Sequence, residues 1–204
     1  MRPDIDPVLT RRNRHLERLA RLITDVLCPP VLAVFAFLLA ARSDGSRDAY
    51  LWALLSLLLP VGIPCLYVFW LVAQGKVTDF HLNVREQRYR PLAVALFSSG
   101  AAILLLWLGH APRLLLLLML TALIQALIFT LITLRWKISG HTAGMANLAI
   151  LGGALVGWMP LWVLGVPMVA WARVYLRRHT IWQTVAGSLL GAAIMLLALQ
   201  FLPK

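Results

Sequence analysis

Carboxylates are scarce in this chain: eight Asp and Glu stand against 19 Lys and Arg in 204 residues, for a net charge of +11. That scarcity leaves little material for a metal site. Asp79 and His81 at i, i+2 are the nearest approach to one, and Glu86 stands alone nearby, so neither a metal nor a cofactor is expected. The repeated aspartates of alcohol phosphotransferases, the Asp-rich pairs of prenyltransferases and a Gly-x-Ser-x-Gly elbow are all missing. Only two cysteines occur, Cys28 and Cys65, both in apolar runs, which excludes a disulfide framework and a zinc site. Charge of either sign is rare, at 13% of residues, where a soluble domain carries about 25%. No separate soluble domain is expected.

What the chain has instead is apolar length. Hydrophobic residues make up 61% and the mean hydropathy is +0.81. Runs at about 22–41, 49–73, 92–108, 113–134, 141–158, 161–176 and 180–202 each approach the roughly 20 residues of a membrane-crossing helix. The expected fold is therefore all-α, a polytopic transmembrane bundle of six to seven spans with the lipid bilayer as its first partner. Residues 1–21 read as a basic juxtamembrane segment and 22–204 as one transmembrane domain. Pro29-Pro30 should bend or delay the first span, and Pro60 and Pro64 should kink the second. The basic excess does not point to nucleic acid, because the charges sit where apolar runs end and not on a soluble face.

Three of those ends hold most of the polar chemistry: 76–91 (KVTDFHLNVREQRYRP), Ser139-Gly140-His141, and 173–183 (RVYLRRHTIWQ). Arg and His are costly beside lipid and read there as functional. Arg pairs its planar fork with phosphate oxygens, and His is the natural nucleophile or acid near neutral pH. Lys76, Arg85, Arg88, Arg90, Lys137, Arg173, Arg177 and Arg178 fall on one side of the expected topology, with His141 and His179. Together they suit a phosphate. Gly140 and His141 open a helix, whose N-terminus favours an anion. For Arg177 and Arg178 a topology role is the simpler reading, as a structural role is for His15 and His110.

In these residues the chain resembles the type 2 phosphatidic acid phosphatase superfamily, with motifs K-x6-R-P, P-S-G-H and S-R-x5-H-x3-D. The third motif is closest: Arg173, five residues, His179, three residues, then Gln183, followed by Ala186-Gly187. The second keeps Ser139, Gly140 and His141, with Ile138 in the Pro position. The first keeps Arg90-Pro91, but Asn83 stands where the family has Lys, and Lys76 lies farther upstream. The resemblance implies that His179 attacks phosphorus and that His141 protonates the leaving oxygen. Arg173 and Arg90 would bind the phosphoryl oxygens, with Lys76 and Arg88 as further donors and Ser139 and the Gly140 amide assisting. No metal would be needed. Gln183 replaces the Asp that orients the nucleophilic His; its carbonyl can fix the tautomer but cannot balance an imidazolium charge.

The expected substrate is a membrane lipid phosphate or diphosphate, polyprenyl or phosphatidyl. Arg11, Arg12, Arg14, Arg18 and Arg21 crowd the same side as the motifs, which the positive-inside rule makes cytoplasmic, in a bacterial plasma membrane. The alternative is a non-catalytic lipid-phosphate binding or transport protein that retained the phosphate site.

Overall fold

The computed structural model describes residues 7–78, 84, 87, 89–158 and 160–202, with side chains for all of these except 7–13 and 161. Every regular element among them is helical: α1 (Pro7–Val26), α2 (Pro29–Asp44), α3 (Arg47–Leu57), α4 (Ile63–Ala73), α5 (Tyr89–Leu108), α6 (Arg113–Thr133), α7 (Gly140–Val156), α8 (Val166–Tyr175) and α9 (Ile181–Leu199).

The prolines set the breaks. Pro29 and Pro30 occupy the first turn of α2, where a missing N–H costs nothing, and the chain bends by 49° between α1 and α2. The boundary expected at residue 21 thus falls inside α1, which continues to Val26 and packs on α8. Farther on, one π turn, Leu58–Gly62, precedes Pro64, and another, Leu161–Gly165, precedes Pro167. A proline ring clashes with the carbonyl four residues back, and a widened turn relieves the clash without ending the helix. The kink expected at Pro60 and Pro64 is therefore a π turn inside one continuous stretch, Arg47–Ala73.

Four stretches are long and apolar enough to cross a membrane: Arg47–Ala73, Tyr89–Leu108, Arg113–Thr133 and Ile181–Leu199. The bent pair of α1 and α2, counted as one span, brings the number to five. Large apolar side chains point outward along them, Phe97 and Leu66 among the most exposed, as in a protein solvated by lipid. α7, with 17 residues, and the stretch 161–175 stop short of the length that about 30 Å of hydrocarbon asks for. Four to five crossings among the described residues thus stand against the six to seven expected.

α7 lies at the centre, packed on α2, α8 and α9. Its contact with α9 is close because Gly187 and Gly191 lack side chains: a Cβ on either would collide with the carbonyl oxygen of Ser139 or Ala143. A second cluster at the far end joins Ala41, Ala49, Ala53, Leu106 and Ala111, where the α2–α3 and α5–α6 turns meet. The ends of α4, α6 and α8 and the starts of α2, α5, α7 and α9 are left together at the opposite pole.

Candidate active site

A cavity of about 240 Å³ opens at that pole, lined by Gly140, His141, Arg173 and His179 together with Pro29, Cys65, Pro91 and Phe129 among others. The two histidines and the arginine come from three different helix termini, each with its own local reason for its position.

The end of α8 explains the five-residue spacing between Arg173 and His179. Arg178 donates its N–H to the Arg173 carbonyl at 3.0 Å, and Arg177 donates to the Val174 carbonyl at 2.8 Å. This is a Schellman turn, with Arg177 in the left-handed region at φ 53°. His179 also donates its backbone N–H to the Arg173 carbonyl, at 3.3 Å. A single reversal of the chain therefore carries the cation and the imidazole. Arg173 is 1% exposed and His179 6%.

The start of α9 sets the orientation of His179. Thr180 is the N-cap: its hydroxyl accepts the Gln183 N–H at 3.3 Å, and the Gln183 carbonyl accepts the Thr180 N–H at 3.2 Å. Because a backbone N–H can only donate, that bond fixes which end of the Gln183 amide faces it. The same Oε1 lies 3.1 Å from His179 Nδ1, so Nδ1 must carry the proton. In the neutral ring Nε2 then holds the lone pair. A neutral glutamine thus favours the tautomer of His179 that is protonated on Nδ1.

The start of α7 brings His141, 6% exposed, to the same cavity. Ser139 caps this helix, its hydroxyl accepting the Thr142 N–H at 3.4 Å, and its own backbone N–H is held by the main-chain carbonyl of Gln183 at 3.2 Å. Thr142 donates its hydroxyl to the Thr184 carbonyl at 2.9 Å. These cross-links tie the His141 turn to the His179 turn. Gly140 and His141 open the helix and line the cavity, so the positive end of the helix dipole meets it.

The remaining expected residues are placed otherwise. Ser139 is wholly buried as a cap and does not line the cavity. Lys76 lies just past α4, donating its N–H back to the Leu71 carbonyl, and its ammonium lies 4.7 Å from the Trp70 ring centroid in a cation–π contact. Arg90 is exposed in the first turn of α5, although its neighbour Pro91 lines the cavity. Arg88, with Asp79, His81, Asn83, Arg85, Glu86 and Lys204, lies outside the described residues. Gln125 and Asn147 were not anticipated: they meet across α6 and α7 at 2.9 Å beside a second cavity. Two carboxamides inside apolar helices were a signal available in the sequence.

Fold and site together define a helical protein with several membrane-crossing helices and, at one pole, a largely apolar cavity lined by two histidines and a buried arginine. No family model, curated protein or solved structure matches the chain.

Proposed function

We propose that this chain is an integral-membrane phosphatase of the type 2 phosphatidic acid phosphatase kind, hydrolysing a lipid-linked phosphate or diphosphate through a phosphohistidine. The observation that carries the reading is the Thr180–Gln183–His179 chain of hydrogen bonds beside a buried Arg173 in a cavity that His141 also lines. It supplies a histidine with its lone pair on Nε2, a guanidinium for the phosphoryl oxygens and a second histidine for proton transfer.

In this reading His179 Nε2 attacks phosphorus, forming the N–P bond as the bond to the leaving oxygen breaks. His141 gives that oxygen its proton. A water, deprotonated by His141, then attacks the phosphohistidine and releases phosphate, restoring both histidines. Arg173 holds the charge of the transferring group throughout. No metal takes part. α7 and the 161–176 stretch also cross, completing seven spans in a locally thinned bilayer. The positive-inside rule puts the basic N-terminal segment and the site on the cytoplasmic face of a bacterial plasma membrane.

Phosphate release by purified protein in EDTA, across polyprenyl phosphates, phosphatidic acid and phosphatidylglycerophosphate, tests this. Release that His179→Ala abolishes supports the phosphatase; release that survives in that variant overturns the mechanism. The second reading, lipid-phosphate binding without turnover, draws on two observations: Gln183 brings no negative charge to the imidazole, and Lys76 is stacked on Trp70. It predicts bound lipid and no trapped phosphohistidine.

A further inference from the structure

A second cavity, about 340 Å³, lies against the first and shares Pro29, Leu92, Phe129 and Gly140 with it. It runs along α2, α6 and α7 into the apolar bundle, past Ala33, Ala36 and Phe37 and on to Leu118 and Met195. A lipid whose phosphate occupied the first cavity would have its chain directed into the second. The wall is not uniformly apolar. Asn147 donates its amide N–H to the Gln125 carbonyl at 2.9 Å, and Asn147 Oδ1 is buried with no hydrogen-bond partner among the described residues. If the pair only tied α6 to α7, that lone oxygen would be an uncompensated desolvation cost in an apolar wall.

Resting on the phosphatase reading above, we propose that Gln125 and Asn147 read a hydrogen-bond donor in the lipid chain, and that the substrate is an acyl lipid phosphate with a chain hydroxyl. Asn147 follows Gly140 by seven residues on α7, about 10 Å along the helix. That distance places the hydroxyl within the first few carbons of an ester-linked chain, beyond the headgroup. A hydroxyl donates to Asn147 Oδ1. A plain polyprenyl or acyl chain has nothing to donate and would leave the oxygen unpaired.

The test uses matched phosphatidic acids with and without a 3-hydroxyl on the acyl chain, assayed for kcat/KM and for lipid-induced rise in melting temperature. The full-length protein should favour the hydroxylated lipid about ten-fold or more, and Asn147→Leu should bring the ratio close to one. Gln125→Met, which leaves Asn147 without its anchor, should reduce the ratio as well. Equal handling of the two lipids by the unmodified protein overturns the inference while leaving the phosphatase intact. So does a preference that Asn147→Leu retains, and so does a preference for the plain chain, which would mean that a water fills the place of the hydroxyl. If no lipid phosphate is hydrolysed, the phosphatase reading fails on its own. The thermal shifts then still decide the inference: a larger rise with the hydroxylated lipid, lost in Asn147→Leu, supports it, and equal rises overturn it.

Discussion

The backbone N–H of His179 is hydrogen-bonded to the carbonyl of Arg173, the residue whose side chain is the most deeply buried cation of the cavity. Cation and imidazole are therefore carried on one chain reversal, between the end of α8 and the start of α9. Arg173→Lys keeps a charge but loses the rigid fork. We expect phosphate release to fall about 100-fold or more, with a smaller change in KM. Lys76→Ala should change turnover less than about three-fold, because the ammonium is engaged with Trp70. A severe Lys76 phenotype in kcat/KM would place that residue in the site after all.

Gln183 should separate orientation from charge. Gln183→Leu removes the acceptor of both the His179 Nδ1 proton and the Thr180 N–H, and turnover should drop by a factor of about 100 to 10,000. The lost cap should also cost about 1 kcal/mol of stability. Gln183→Glu keeps the acceptor and adds a negative charge that favours the imidazolium. The His179 pKa must then rise, and since the neutral ring attacks, the acid limb of the pH–rate profile should move to higher pH. A profile that stays in place would argue that His179 is not the titrating nucleophile.

Gly187→Ala tests the α7–α9 clamp. The new Cβ would meet the Ser139 carbonyl and, at 2.6 Å, Thr142 Oγ1, so the two helix starts must separate. A stability loss of about 1–3 kcal/mol is expected from the melting temperature in detergent, with lower turnover as His141 moves away from His179. Gly100→Ala, where nothing lies within 4 Å, is the matched control and should melt normally.

Arg177 occupies the left-handed position of the Schellman turn, where a side chain costs about 1–2 kcal/mol relative to glycine. Arg177→Gly should therefore raise the melting temperature and Arg177→Val should lower it. A lower melting temperature in Arg177→Gly would mean that the guanidinium makes a contact worth more than the strain.

The apolar runs were legible because lipid imposes a simple rule of length and composition, and α5, α6 and α9 begin and end within a few residues of their expected places. The break before α2 was legible from Pro29-Pro30, but its angle was not, since that depends on α1 packing against α8. Pro60 and Pro64 announced a kink; that it is relieved by a π turn, as also before Pro167, depends on carbonyl geometry that composition does not record. The Arg-x5-His spacing could be read, and its cause, a helix reversal through Arg177, could not.

By itself the sequence determined a helical, membrane-crossing chain and the types of side chain at the ends of its runs, because hydrophobic length and the cost of charge in lipid act locally. The tertiary structure alone decided which of those ends meet. It brought His141, Arg173 and His179 to one cavity through the glycine contact of α9 on α7, left Lys76 on Trp70, and opposed Gln125 to Asn147. Those outcomes depend on close approach between segments far apart in the chain, and no local preference encodes that approach.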